Sequence, residues 1–237
     1  MINYSTGIRH RQERLFMPKP RLLLIPGLGV NHRLFHHQRA AFPDLIVPDW
    51  IDPIPRETLA AYAKRLASTI THDGPLVVGG VSFGGMLALE MARHLNAKNI
   101  VLIASSRSAT PIRPLLRCAE RCARSIPSAL IASSMFLAPA VLGRGGGVPK
   151  AERALLAEMV RDVSIPLLRW GARAIMEWPG CSDPPAPVRH IHGDRDWVIP
   201  HTRLAPAPDL LIRGGPHVLN LSHPREINAY LAETLAM

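Results

Sequence analysis

The residues best suited to chemistry are a serine and the glycines around it. Gly80, Ser82 and Gly84 form the pattern G-x-S-x-G, after the apolar run Leu76–Val78 and before the helix-forming stretch Met86–Leu95. In a strand-to-helix turn of this kind the serine hydroxyl projects as a nucleophile. The residues two before and two after it approach so closely that a Cβ atom on either would clash. The segment therefore predicts nucleophilic catalysis by Ser82, with the N-terminus of the helix favouring negative charge.

A nucleophilic serine needs a base, and the base needs an acid to orient it. His217 follows the apolar run Leu210–Ile212 and a glycine turn. This order places His217 on a loop at the C-terminal edge of the predicted sheet, where α/β sheets bind their ligands. Asp194 and Asp196 follow the run Val188–Ile191 in the same way, so either could supply the acid.

These segments together resemble the α/β-hydrolase superfamily, in which the triad follows the order serine, acid, histidine. The resemblance implies the triad Ser82, Asp196 and His217, because only Asp196 has the family's spacing to the isoleucine–proline pair that follows. Asp194 then has the ordinary role of capping a turn. His223, at the start of the predicted last helix, is the weaker candidate for the base.

Two backbone amides complete the predicted site, because acyl transfer needs donors aimed at the oxyanion. The amide of Phe83, directly after the nucleophile, is the first candidate. By resemblance the second is Leu28, on the loop after the first core strand. Most relatives have histidine–glycine where this chain has Pro26 and Gly27, but a backbone donor does not require the histidine side chain. A phosphate-binding loop is the competing interpretation, and the lysine–serine or lysine–threonine pair of such a loop does not follow.

Short apolar runs bounded by turn residues recur along the chain and predict parallel strands that are buried on both faces. They are Leu22–Ile25, Leu45–Val47, Leu76–Val78, Ile100–Ala104, Val188–Ile191 and Leu210–Ile212. Helical patterns lie between most of them. This alternation predicts an α/β fold with a mostly parallel, doubly wound sheet of about six strands, and the resemblance implies the α/β-hydrolase fold.

The alternation stops between residues 107 and 179, where helical segments and prolines contain no convincing strand. An insertion of about 70 residues is too long for an ordinary connection. We therefore expect a core formed by residues 1–106 and 180–237 and a helical cap formed by residues 107–179, with Gly143–Gly147 as a flexible joint. The apolar stretch Ser128–Leu142 favours substrates with an acyl chain or a hydrophobic ring, although packing of the cap onto the core explains it equally well.

Arginines recur at helical spacing in the first part of this cap and predict a basic stripe on an amphipathic helix. They are Arg113, Arg117, Arg121 and Arg124, opposite Leu115, Ala119, Cys122 and Ile126. A solvated face is one interpretation. The other is docking of an acidic acyl-carrier protein, as in the pimeloyl-carrier-protein methyl ester carboxylesterases, which this chain resembles distantly. It departs from them at Val47–Pro53, where relatives carry an acidic, glycine-rich turn.

The composition of the chain limits which other classes of protein and which partners are compatible with the sequence. A chain of 237 residues with 47% hydrophobic residues suffices for one α/β domain. The net charge of +10 would suit an acidic partner, but we expect no nucleic-acid binding because no known motif accompanies the charge. We expect no membrane span and no export signal, and three cysteines indicate a reducing, cytoplasmic location. Cys118 and Cys122 are interpreted as small buried residues, so we predict no metal and no cofactor.

The predicted activity is cleavage of a carboxylic ester or thioester with a hydrophobic acyl part, through an acyl-enzyme intermediate. An acyltransferase that uses the same residues is one alternative, if an alcohol replaces water. A binding protein that retains the fold without catalysis is the other.

Overall fold

Five of the predicted apolar runs form one parallel sheet, in the order β1-β2-β3-β4-β5. The computed structural model describes residues 19–123, 127 and 147–237. The strands are β1 (Arg21–Ile25), β2 (Leu76–Val81), β3 (Ala97–Ile103), β4 (Val188–Gly193) and β5 (Leu210–Ile212). The helices are α1 (His36–Ala41), α2 (Leu59–Ala67), α3 (Phe83–Met91), α4 (Pro114–Ala123), α5 (Lys150–Arg161), α6 (Ile165–Glu177), α7 (Leu219–Ser222) and α8 (Pro224–Ala236). Short 3-10 helices span His32–Phe35 and His201–Arg203.

The run Leu45–Val47, predicted as a sixth strand, contributes only an isolated parallel bridge between Ile46 and Leu23 of β1. Pro48 follows at once, and proline has no N–H with which to continue a ladder. The bridge nevertheless has a topological consequence. The chain runs from β1 outward to Ile46 and then returns past β1 to β2, so the strand order reverses there. In α/β sheets a ligand crevice lies at such a reversal, at the carboxyl ends of the strands.

Both faces of the sheet are covered, as a doubly wound arrangement requires. Side chains of β1 alternate between two apolar clusters. Leu23 and Ile25 pack on the face covered by α2 and α3. Leu22 and Leu24 pack on the face that α8 covers with Tyr230. This burial on two sides explains why the strands consist of almost continuous apolar residues.

The chain between β3 and β4 contains α4, α5 and α6 and no strand among its described residues. Helix α6 packs on the sheet layer through Trp170, whose ring centroid lies 4.1 Å from that of Tyr62 in α2. Just after α6, the Trp178 indole N–H donates to Glu90 Oε1 of α3 at 2.8 Å. The stretch Ser128–Leu142 and most of the predicted glycine joint lie outside the described residues. None of the helices described combines the length and apolar character needed to cross a bilayer.

Candidate active site

Ser82 lies at a sharp turn between β2 and α3, with φ 54° and ψ −119°. A positive φ is uncommon for a residue with a side chain and persists only where the surroundings impose it. Its backbone N–H donates to Ile103 O of β3 at 2.9 Å. Its carbonyl oxygen accepts from the buried Ser105 hydroxyl at 2.6 Å and from the Gly85 N–H at 3.0 Å. These bonds hold the serine in its strained conformation at the carboxyl end of β2.

The glycines on either side of Ser82 are required by close backbone contacts. A Cβ atom on Gly84 would lie 2.1 Å from Ile25 O of β1, and one on Gly80 would lie 2.3 Å from the carbonyl carbon of Gly84. Non-bonded carbon atoms do not approach other heavy atoms so closely. The clash predicted for both positions from the sequence is confirmed.

Ser82, His217 and Asp196 form a hydrogen-bonded line. The Ser82 Oγ lies 2.9 Å from His217 Nε2, and His217 Nδ1 lies 2.7 Å from Asp196 Oδ2. An ionised carboxylate can only accept, so Nδ1 carries the proton and Nε2 presents its lone pair to the serine hydroxyl. The arrangement suits transfer of the serine proton to the imidazole, which leaves an oxygen nucleophile.

The Asp196 carboxylate is buried and yet well supplied with donors. Its Oδ1 accepts from the backbone N–H groups of Val198 and Ile199, both at 2.8 Å, and its Oδ2 lies 3.1 Å from His192 Nε2. Burial opposes the charged form, but the charge of His217 and the hydrogen bonds from His192 and His217 hold the pKa of Asp196 well below its usual range. The group is therefore ionised at neutral pH and can stabilise a protonated His217.

The rival candidates have other partners. Asp194 Oδ1 accepts from the Gly214 backbone N–H at 2.6 Å, which is a turn-capping contact of the kind expected for it. The His223 Nδ1 lies 2.8 Å from the hydroxyl of the adjacent Ser222, and His223 precedes the first residue of α8. The structure thus brings Asp196 and His217 to the serine, whereas Asp194 and His223 bond elsewhere.

A pair of buried histidines lies behind Asp196; the sequence indicated a structural role for His192 but did not predict the pair. His192 Nε2 lies 2.8 Å from the Ile199 carbonyl oxygen, which can only accept, so this nitrogen carries the proton. His192 Nδ1 then accepts from His190 Nε2 at 3.2 Å. Burial and the neighbouring His192 lower the pKa of His190 to about 3, so it is neutral. Their spacing of two within β4 was the available signal, because alternate strand residues share one face.

The two predicted oxyanion donors lie close to Ser82. Phe83 is the first residue of α3, where a backbone N–H has no acceptor within the helix. The loop after β1 passes beside the serine, since a Cβ atom on Gly27 would lie 3.8 Å from the Ser82 Cβ. The next residue, Leu28, packs against α6, where a Cβ on Gly171 would lie 2.5 Å from its Cδ1. The role of the two amides as donors stays a prediction.

The basic stripe differs from its prediction. The Arg113 Nε–H donates to the Trp197 carbonyl oxygen, and its guanidinium lies 5.2 Å from the Trp197 ring centroid, so Arg113 contacts the loop of the acid. Leu115 was expected on the packed side of α4, but it is 67% exposed, and Leu116 packs on the core instead. The side of α4 that packs on the core is therefore shifted by one residue from the expected one, because burial of apolar side chains decides how the helix is oriented. Arg117 is half-buried and Arg121 is exposed.

The next two interpretations from the sequence concern the cysteines and the end of the basic stripe. Cys118, interpreted as buried, is exposed on α4, whereas Cys181 is buried. Burial raises the pKa of the Cys181 thiol. Arg124 and Ile126 lie outside the described residues, so the C-terminal part of the predicted stripe stays a prediction.

The fold and the arrangement around Ser82 define a class of protein, and sequence comparison agrees with it. The profile of the alpha/beta hydrolase family matches residues 22–230, which is most of the chain. The protein belongs to the alpha/beta hydrolase family. A search of curated protein sequences finds no match.

Solved structures with the same fold cover nearly the whole chain at low sequence identity. A thermophilic esterase from Thermogutta terrifontis has a TM-score of 0.66 and 18% identity over 93% of this chain and 90% of its own. MenH from S. aureus has a TM-score of 0.72 and 15% identity over 92% and 94%. A bromoperoxidase from Bacillus anthracis has a TM-score of 0.69 and 17% identity over 93% of both chains. Their differing names are consistent with the rule that a fold hosts several reactions.

Proposed function

We propose that this member of the family is a serine hydrolase that cleaves a carboxylic ester or thioester with a hydrophobic acyl part. The observation that carries the proposal is the hydrogen-bonded line from Ser82 Oγ through His217 to Asp196, with donor–acceptor separations of 2.9 and 2.7 Å. A binding protein does not need a strained serine aligned with a buried base and an ionised acid.

The proposed reaction proceeds in two halves. His217 Nε2 takes the Ser82 proton while the serine oxygen attacks the carbonyl carbon. The Phe83 and Leu28 amides stabilise the resulting oxyanion, and Asp196 stabilises the protonated imidazole. The imidazolium returns the proton to the departing alcohol or thiol, which leaves an acyl group on Ser82. Water, deprotonated by His217, then attacks the acyl-enzyme and releases the acid and the free serine.

Aromatic side chains near Ser82 support an apolar substrate. The Phe83 ring centroid lies 5.9 Å from that of Trp50 and 6.0 Å from that of Trp170. Trp170 lies on α6, as does Gly171, which contacts the predicted oxyanion loop at Leu28. These contacts support the division into a core, residues 1–106 and 180–237, and a cap, residues 107–179, that covers the site. Phe83 and Trp170 belong to one buried apolar cluster, so the layer beside Ser82 is apolar, which suits an acyl chain.

A covalent probe and a substrate series test the proposal. The protein should react with a fluorophosphonate probe and hydrolyse p-nitrophenyl esters, with rates that depend on acyl chain length. Ser82→Ala should abolish labelling and lower kcat by at least about 10³-fold. Ser68→Ala, which changes an exposed serine, is the matched control and should behave as wild type. Equal rates for wild type and Ser82→Ala would refute the assignment.

The same experiments separate the alternatives. Labelling without ester hydrolysis, combined with acyl transfer to an added alcohol, would identify an acyltransferase. Saturable binding of an ester without labelling would identify a non-catalytic binding protein.

We further propose that an acidic acyl-carrier protein, located with the enzyme in the cytoplasm, presents the acyl group to the basic side of α4. The exposure of Arg121 and partial exposure of Arg117 support this surface, which would speed encounter with an acidic partner. Reversing both to glutamate should slow hydrolysis of a carrier-bound ester much more than that of a free ester. Equal slowing of both substrates would mean that α4 carries only a solvated face.

A further inference from the structure

Two adjacent histidines face a glutamate across the boundary between the sheet layer and the β3–β4 segment. His36 and His37 begin α1, and Glu152 lies in the first turn of α5. Glu152 Oε1 lies 3.0 Å from His37 Nε2 and 3.3 Å from His36 Nε2. The three possible ligand atoms, one from each residue, all lie within 4.8 Å of one another. Nothing in the proposed reaction uses these side chains.

The tautomer of His36 makes this contact unusual. Its Nδ1 lies 3.2 Å from the Arg33 carbonyl oxygen, which can only accept, so Nδ1 carries a proton. In the neutral ring, Nε2 then has no proton, and it lies 3.3 Å from Glu152 Oε1. Two acceptors do not attract each other, so this contact becomes favourable when Nε2 carries a proton or when a cation binds both atoms.

A neutral His37 can donate from Nε2 to Glu152 Oε1, so only His36 would need a second proton, and protonating both rings would be unfavourable. The ring centroids of His36 and His37 are only 3.9 Å apart, so two imidazolium charges would repel each other at close range. The second carboxylate oxygen of Glu152 is buried and has no hydrogen-bond partner within the described residues. A single divalent cation would satisfy the lone pairs of both neutral rings and the carboxylate together.

The two separations from Glu152 Oε1 are near those expected around a tetrahedral ion. Zinc binds imidazole nitrogen and carboxylate oxygen at about 2.0–2.2 Å, which places neighbouring ligand atoms about 3.3–3.5 Å apart. The observed separations of 3.0 and 3.3 Å are close to this edge length. The Arg33 carbonyl that orients His36 is the outer contact typical of a ligating histidine. We propose that His36, His37 and Glu152 bind one zinc ion or a similar transition metal, with water in the fourth position.

Such an ion would join α1 to α5 and thereby tie the β3–β4 segment to the sheet layer. Helix α1 also contacts the segment after His217, because the Gln38 amide donates to the Asn220 carbonyl at 3.5 Å and to Asn228 Oδ1 at 3.1 Å. The metal would therefore restrain one side of the predicted cap without contributing to the chemistry at Ser82.

Calorimetric titration of untagged, metal-stripped protein tests the site. We expect saturable binding of one Zn²⁺ per chain and no comparable binding of Mg²⁺, which prefers oxygen ligands. Co²⁺ should bind with the visible bands of tetrahedral nitrogen and oxygen ligation. Glu152→Gln and His37→Ala should each weaken Zn²⁺ binding by at least about tenfold. His94→Ala, at an exposed histidine, and Cys118→Ser, at the exposed thiol, should leave it unchanged.

Several outcomes would overturn the inference. Absence of saturable Zn²⁺ binding by the wild type would mean that the cluster is a histidine–glutamate ion pair only. Undiminished binding by both Glu152→Gln and His37→Ala would place the ion elsewhere, provided that circular dichroism shows both variants folded. Hydrogen exchange gives an independent measurement, since Zn²⁺ should slow exchange of the α5 amides in wild type. Unchanged exchange would refute the restraint of α5.

Discussion

Replacing His190 with glutamine should make the folded protein less sensitive to acid. His190 is 5% exposed, and burial together with His192 lowers the pKa of its ring from 6.5 to about 3. In the unfolded chain the same ring takes up a proton near its ordinary pKa. Between these two values the unfolded state binds one proton more than the folded state. Stability therefore falls as the pH decreases from about 6.5 towards about 3.

The magnitude follows from the two pKa values. Linkage gives a loss of about 3 kcal/mol from His190 alone between about pH 7.5 and about pH 4.5. A typical domain is stable by only about 5–15 kcal/mol, so the change is large enough to measure. Glutamine cannot be protonated in this range, and its amide N–H can still donate to His192 Nδ1 as His190 Nε2 does at 3.2 Å. The variant should lack this portion of the acid sensitivity.

Urea unfolding at the two pH values is the appropriate assay. Wild type should lose about 3 kcal/mol more than His190→Gln when the pH is lowered. The lowered pKa of Asp196 likewise stabilises the folded state above the acid range, and this contribution is lost as the pH falls through that range. Asp196 is present in both proteins, so its contribution cancels in the comparison. His94→Gln, at an exposed histidine, should behave as wild type. Equal losses in wild type and His190→Gln would refute the neutral, buried state assigned to His190.

Three stability predictions can be measured by the same urea unfolding. Gly84→Ala should cost at least about 2 kcal/mol, because its methyl group would meet a backbone oxygen at 2.1 Å, whereas Gly27→Ala, with its nearest atom at 3.5 Å, should cost less than about 1 kcal/mol. Trp178→Phe should cost about 1–3 kcal/mol, because the buried Glu90 loses its indole donor at 2.8 Å. Thr58→Ala should cost about 1 kcal/mol, since the hydroxyl caps the first turn of α2. Losses below half of these values would contradict the contacts that underlie them, and a cost for Gly27→Ala equal to that for Gly84→Ala would contradict the clash.

Local sterics made the nucleophile turn predictable. Gly80, Ser82 and Gly84 must satisfy a tight turn within five residues, so their pattern alone predicts the backbone contacts that the structure contains. The positions of Asp196 and His217 were predictable for a different reason, although the choice of Asp196 over Asp194 came from the family resemblance. Each follows an apolar strand directly, and parallel strands bring the segments after them to one edge of the sheet.

Elements decided by packing were less predictable. Ile46 forms only a bridge, because Pro48 interrupts the ladder that the apolar run Leu45–Val47 would otherwise extend. Leu115 is exposed while Leu116 packs on the core, since the rotation of α4 depends on the surface against which it lies. Helical periodicity defines an amphipathic pattern, but it leaves the orientation of a short helix open by one residue.

The amino-acid sequence by itself determined the alternation of strands and helices, the glycine turn around Ser82 and the order of the three polar residues that meet there. These features arise from contacts within a few residues or from the rule that parallel strands end together. The tertiary structure alone decided that His192 and His190 lie behind Asp196, and that Glu152 meets His37 although the two are 115 residues apart in the sequence. Such contacts depend on the path of the whole backbone, because residues distant in sequence are brought together only when the sheet and its covering helices have packed.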